Sequence, residues 1–316
     1  MNYSFSSLST FNQCSLKFYF QYVLKIEFIE QNIAAFLGSV CHEVFETYYK
    51  ENGSLTRSDL KQKFYDLFDL GMITENIIVK KDSDIGFNRF QGSTIVEEFY
   101  NNVDISKATP AEYIDSDGVI QPFVEVKTKI PVINLKTKLP IGEDLTITAI
   151  LDIVENHHGK LKVKDHKTAS REYEDFFVDT SLQLTMYAYV LRYLIVLGKV
   201  APIPSSKKEI AVGFNMFLKN RGKASSKVIE KKITEDDLTT FYNTITNIDK
   251  CVKQEIFIPA FNDACNAFGG CQYRDICLLY NKNKEPFKDG KLIDKNMLLK
   301  KFPGKVAIRE PIILAT

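Results

Sequence analysis

Two short apolar segments joined by a tight turn constrain this chain more than any other feature. Leu151-Asp152-Ile153-Val154 reads as one strand and Leu161-Lys162-Val163-Lys164-Asp165-His166-Lys167 as the next. Asn156-His157-His158-Gly159 lies between them, and His158-Gly159 suits a two-residue hairpin turn, because His tolerates positive φ and Gly favours it. With those two residues as the turn, Asp152 falls opposite Asp165. Side chains alternate along a strand, so Leu161, Val163 and Lys167 share the face of Asp165, which the apolar pair turns towards the core. Two carboxylates and an ammonium thus meet at the edge of an apolar face, where stranded charge is expensive. A divalent cation held by the carboxylates is the simplest compensation. Taken alone, Asp165 and Lys167 read as an exposed surface pair. The facing Asp152 weighs against that, since opposed carboxylates repel unless a cation or proton intervenes.

Further motifs stand in order around the hairpin. Gly38-Ser39-Val40-Cys41-His42-Glu43 precedes it, and Gln183-Leu184-Thr185-Met186-Tyr187 follows it. One cysteine, Cys14, lies near the N-terminus, and Cys265, Cys271 and Cys277 lie near the C-terminus. On these residues the chain resembles the PD-(D/E)xK nuclease superfamily. It is similar in particular to the RecB-like branch, with its Gly-x-x-x-His-Glu and Gln-x-x-x-Tyr motifs. The cysteines resemble the four-cysteine iron–sulfur arrangement of Cas4-like proteins, AddB-type nuclease domains and phage exonucleases. The likeness runs from about residue 5 to 280 in family order. Three departures leave every catalytic group in place. Ala149 stands where Gly is common, Ser15 follows Cys14 where Pro is common, and the gap from Cys265 to Cys271 exceeds a Cys-x-x-Cys.

The resemblance implies an α/β fold with a restriction-endonuclease-like core, a mixed central sheet flanked by helices. Helical N-terminal and C-terminal segments would be closed by the Cys₄ cluster. It implies a metal-dependent DNA nuclease, an exonuclease on single-stranded ends in recombination, repair or phage DNA processing. Asp152 and Asp165 offer hard oxygens for Mg²⁺ or Mn²⁺, and the imidazole of His42 shifts preference somewhat towards Mn²⁺. By resemblance the backbone carbonyl of His166 is a further ligand. Lys167 is the candidate to orient the attacking water or offset transition-state charge. Gln183 and Tyr187, four apart on one helix face, would hydrogen-bond the site or the DNA backbone. Glu125 and Glu46 are lesser, outlying candidates. By resemblance Cys14, Cys265, Cys271 and Cys277 would hold a [4Fe–4S] cluster, with Zn²⁺ as the rival, while Cys41 and Cys251 read as small buried residues.

Composition bounds these expectations. Of 316 residues, 45% are hydrophobic and 26% charged, the profile of a globular protein with room for a large core. A formal net charge of +1 excludes a polycation that coats nucleic acid, though not a local basic groove. Lys207, Lys208, Lys219, Arg221, Lys223 and Lys227 border such a groove or form a solvated hairpin. No signal peptide is indicated, and the most apolar stretch, Met186 to Leu197, is too short to span a bilayer. The cytoplasm is therefore the expected address. No Walker A pattern appears, so a helicase would be a separate partner.

One nuclease domain is expected over residues 1–280, with a tail over 281–316. Helices are expected from Ser4 to Tyr22, from about Gly38, and within 54–104, the last as an insertion or lid. The catalytic core, 119–197, has strands at Phe123–Val126, Ile130–Val132, Leu145–Val154 and Leu161–Lys167, then a buried helix from Gln183 to Leu197. A strand at Ile210–Leu218 should pair with Lys227–Ile233, and Thr234 with Asp237 reads as a capping box. The cysteine segment spans 265–277. The competing reading is a noncatalytic nucleic-acid-binding or scaffold protein with the same fold and a structural zinc or iron–sulfur site.

Overall fold

The computed structural model describes residues 1–79, 84–103, 105, 109–142, 144–202, 210–220, 222–266 and 270–309. Lys207, Lys208 and Arg221 of the expected basic set lie outside the described residues. Contacts divide the chain into two compact units. One takes Met1–Glu30, Glu143–Leu145 and Tyr242–Thr316, and the other takes Gln31–Gly142 with Thr146–Phe241.

The second, larger unit holds helices α1 (Ile33–Lys50), α2 (Arg57–Thr74), α3 (Ile85–Asn102), α4 (Asp175–Asp179) and α5 (Leu182–Val196). Its long strands are β1 (Val124–Pro131), β2 (Thr146–His157), β3 (Lys160–Ala169), β4 (Ala211–Leu218) and β5 (Ser225–Lys232). They lie side by side in chain order. Neighbours are antiparallel except β3 and β4, which run parallel. A parallel step needs a crossover, and α4 and α5 occupy it. This is the mixed sheet flanked by helices that the sequence implied. The pieces expected at Phe123–Val126 and Ile130–Val132 are one continuous strand, β1, with alternating burial.

The β2–β3 turn forms as the sequence dictates. His158 (φ 52°) and Gly159 (φ 86°) are both left-handed, and His157 pairs with Lys160 across them. Pairing of β2 with β3 runs to Ile153↔Lys164 and stops, one step before Asp152 and Asp165. Beyond that point β3 continues beside β4 to Ala169↔Leu218, while β2 continues beside β1 to Thr146↔Pro131.

Helix α1 begins at Ile33, ahead of the expected Gly38. Ile33, Phe36 and Leu37 extend its buried face, and the Asn32 side chain caps it by accepting the Ala34 N–H at 2.8 Å. The helical stretch expected at 54–104 as an insertion or lid packs as a layer on α1. Phe64 and Phe68 of α2 and Ile95, Val96 and Phe99 of α3 share one core with Val40, Val44 and Phe45 of α1. The close approach requires Gly92, where a Cβ would lie 2.0 Å from Phe64 Cζ and 2.6 Å from Leu37 Cδ1. Gly92→Ala is therefore expected to destabilise by about 1–3 kcal/mol, overlap outweighing the ~1 kcal/mol gain in helix propensity. Urea unfolding measures it, and a stabilised variant would contradict the packing.

In the smaller unit the expected Ser4–Tyr22 helix is interrupted. An α-helix over Phe5–Gln13 ends at Cys14, whose backbone is extended (φ −164°, ψ 108°) and whose Sγ accepts the Lys17 N–H at 3.4 Å to cap the next turn. Leu16, Phe20, Ile26, Tyr273, Ile276, Phe287, Leu298 and Val306 form this unit's core. Three of these lie beyond residue 280, so the stretch read as a tail is folded in as far as Ile308. Thr234 and Asp237 make the expected capping box, with reciprocal bonds of 2.8 and 3.2 Å. Among the described residues no helix is long and apolar enough to cross a membrane.

Candidate active site

Alternation on β3 sets Asp165 and Lys167 on one face and His166 on the other. Asp165 is 1% exposed, and its hydrogen-bond and ion-pair partners come from β3 and α5. Its Oδ1 accepts from Gln183 Nε2 at 2.6 Å and from Tyr187 Oη at 3.1 Å. Its Oδ2 pairs with Lys167 Nζ at 2.5 Å. Gln183 also donates to Tyr187 Oη at 2.9 Å. One turn of α5 brings Gln183 and Tyr187 together, and its Ser181 cap starts that turn by accepting the Leu184 N–H. Burial works against the Lys167 ammonium, but the Asp165 charge outweighs it and raises the lysine pKa. Burial and then Asp165 push the Tyr187 phenol well up, so it stays a donor.

Asp152 sits where β2 and β3 part. Its Oδ2 accepts the backbone N–H of His166 at 2.7 Å and lies 3.3 Å from His42 Nδ1. Glu125 Oε1 lies 3.6 Å from the same nitrogen. His42, Glu125 and Asp152 each present a donor atom within 4.8 Å of the others. Burial, and after it the charge of Asp165, drives the Asp152 carboxyl well above the usual carboxylate range. Burial opposes the His42 imidazolium, yet Glu125, Asp152 and Asp165 together leave its pKa raised. Glu125 stands between the Val124↔Ile153 and Val126↔Leu151 pairs with a left-handed φ of 52°. Holding a non-glycine residue there costs roughly 1–3 kcal/mol, a strain found mainly at functional sites.

All these side chains except that of His166 open into one cleft of about 660 Å³, which Gly38, Ser39 and Glu46 of α1 also line. The His166 ring is caged by Phe45, Tyr49, Phe99 and Phe217 on the other face, its nitrogens without hydrogen-bond partners. Burial, and after it the His42 charge, pushes its pKa well down, so it is neutral. Its side chain has no place in the cleft, while its N–H holds Asp152.

Sequence reasoning set Glu125 at the margin, yet it stands with His42 and Asp152. The one local signal was a glutamate among the alternating apolar residues of a strand. Glu46 lines the cleft but is paired with Lys50. His158 is in the turn, and His157 pairs with Glu155 at 2.7 Å. Of the basic set, Lys227 is tied to Glu172 at 2.5 Å and Lys219 is half-buried.

Cys14, Cys265, Cys271 and Cys277 line a second cavity, of about 200 Å³, within the smaller unit. Burial raises the Cys277 thiol, with the neighbouring Cys14, Cys271 and Cys265 adding to it. Cys41 is buried in α1, and Cys251 is half-buried outside this group.

The profile of the PD-(D/E)XK nuclease superfamily matches residues 2–278. No curated protein matches the chain. Among solved structures it is similar to a protein from Eubacterium rectale named as a candidate exonuclease, at 12% identity and a TM-score of 0.46, over 83% of this chain and 85% of that one. It is also similar to a protein named SSO0001, at 16% identity and a TM-score of 0.30, over 86% and 94% of the two chains.

Proposed function

The chain belongs to the PD-(D/E)XK nuclease superfamily, and from that premise we propose that it is a metal-dependent DNA exonuclease acting on single-stranded ends. The observation that carries this reading is the convergence of His42, Glu125 and Asp152 within 4.8 Å, beside the Asp165–Lys167 pair. One imidazole and several carboxylate oxygens suit Mg²⁺ or Mn²⁺. The electrostatics fit as well, because Asp152 is driven towards protonation where a cation would hold it ionised. His42, Asp152 and Asp165 would hold the ion, with the His166 carbonyl and Glu125 completing the set. Bound there, it would supply Lewis-acid polarisation of the scissile phosphate and a neutralising charge.

The chain's own groups do the remaining work. Lys167 keeps its proton, so its ammonium can orient the attacking water and offset charge on the phosphate oxygens. Gln183 and Tyr187 set the Asp165 carboxylate before substrate arrives, and the His166 N–H does the same for Asp152. For the cysteine site we favour a [4Fe–4S] cluster over zinc. Tetrahedral zinc draws thiolates to about 3.8 Å from one another. The four cysteines line one cavity of about 200 Å³, which leaves room for a cluster larger than a single ion.

The test is cleavage of end-labelled single- and double-stranded DNA by protein purified without oxygen, with Mg²⁺, Mn²⁺ or chelator. The expected result is release of nucleotides from single-stranded ends with metal and none in chelator. Binding without cleavage in either metal would make the chain a nucleic-acid-binding scaffold instead.

A further inference from the structure

The segment linking β3 to α5 carries aromatic side chains out of the core. Phe176 is 75% exposed and Phe177 51% exposed. Phe177 packs on Tyr173 with ring centroids 4.6 Å apart, and Tyr173 meets Phe214 edge-on at 5.4 Å. Phe214 in turn lies 5.7 Å from the Lys167 ammonium. A run of rings therefore leads from the catalytic lysine through Phe214 and Tyr173 to Phe177 at the surface, and the exposed Phe176 is its neighbour in the chain. Tyr173 lies within the field of the cleft: burial raises its phenol pKa, Lys167 opposes and Asp165 adds.

The charges beside these rings narrow the choice of occupant. Glu172 is taken up by Lys227, and against the one cation of the segment, Arg171, stand Glu174, Asp175 and Asp179, which leave it acidic on balance. It repels phosphate, and what it offers a nucleic acid is ring faces. Continuity with the cleft says which nucleic acid, namely the strand whose phosphate lies at Asp165 and Lys167.

We propose that Tyr173, Phe176 and Phe177 form a stacking platform for unpaired bases next to the scissile phosphate, selecting single strands over duplex. This rests on reading the cleft as a nuclease site. Stacking on a side chain needs a base whose face is free, and a duplex keeps its bases stacked on one another. Its second backbone would also meet the acidic segment.

The experiment uses the full chain with a short oligonucleotide carrying 2-aminopurine, single-stranded or annealed, in Mn²⁺. Wild type is compared with Phe176→Ala, Phe176→Leu and Phe176→Tyr for binding, fluorescence quenching and cleavage. Phe176→Ala and Phe176→Leu should weaken single-strand binding roughly 5- to 50-fold, remove the quenching and raise KM more than they lower kcat. Duplex binding should barely change, and Phe176→Tyr should behave as wild type. Unchanged single-strand affinity in Phe176→Ala, or equal losses on both substrates, would overturn the platform and leave Phe176 for a protein partner. A wild type that quenches but cleaves neither substrate would sink the nuclease reading and leave the platform standing.

Discussion

Asp165→Asn is expected to lose roughly 10³-fold or more of the cleavage rate, while unfolding in chelator near the wild-type temperature. The amide keeps the shape of the carboxylate and an oxygen for Gln183 and Tyr187, so the α5 contacts that hold position 165 survive. Two electrostatic changes oppose each other. Lys167 loses its 2.5 Å partner, but Asp152 is freed from the like charge that, after burial, raises its pKa most. Stability should therefore move little, while a carboxylate charge is gone from the cleft and the lysine no longer faces one. Cleavage rates beside thermal unfolding in chelator separate the two effects. Activity within tenfold of wild type would remove Asp165 from the chemistry, and a collapse in unfolding temperature would make its role structural.

Phe45→Ala should destabilise the larger unit by about 3–5 kcal/mol. Phe45 is fully buried, stacked on Phe99 with centroids 4.0 Å apart and set against Phe217 at 5.0 Å and His166 at 5.2 Å. Deleting the ring opens a cavity beside an imidazole whose nitrogens already lack partners. Helix α1 also carries His42, one turn before Phe45, so loosening the helix blurs the cleft's imidazole as well. The midpoint of urea unfolding at constant slope measures the loss. A change below ~1 kcal/mol would mean that α3 and β4 close over the gap, against the packing described.

What the sequence made legible followed from short-range rules. His158 and Gly159 admit only a narrow set of turns, and that turn fixes the phase of β2 against β3, so Asp152, Asp165 and Lys167 could be brought together on paper. Gln183 and Tyr187 needed only helical spacing. The place of Glu125 is not legible locally, because it depends on β1 lying beside β2, a pairing between distant segments, and on a left-handed φ in mid-strand that no local pattern announces. The break at Cys14 was missed for a similar reason. Apolar spacing from Leu8 to Tyr22 is continuous, and the interruption comes from a thiol capping a backbone N–H. Helix α1 starts five residues before the Gly38 motif, at an Asn32 cap whose single-residue signal the motif does not contain. The packing of α2 and α3 on α1, and of the chain beyond residue 280, rests on tertiary burial, which periodicity alone does not assign to a partner.

The end of the β2–β3 ladder has a consequence of its own. At Ile153↔Lys164 the sheet forks, and inside a fork there are backbone amides that no neighbouring strand claims. The His166 N–H is such a group, and Asp152 takes it. Zip the strands one pair further and that amide would be drawn towards the ladder, leaving a buried carboxylate short of its donor. How far two strands stay together is thus a heritable property of the site, as decisive as which side chains stand in it. It can be altered by substitutions at β2 or β3 positions that never touch the cleft.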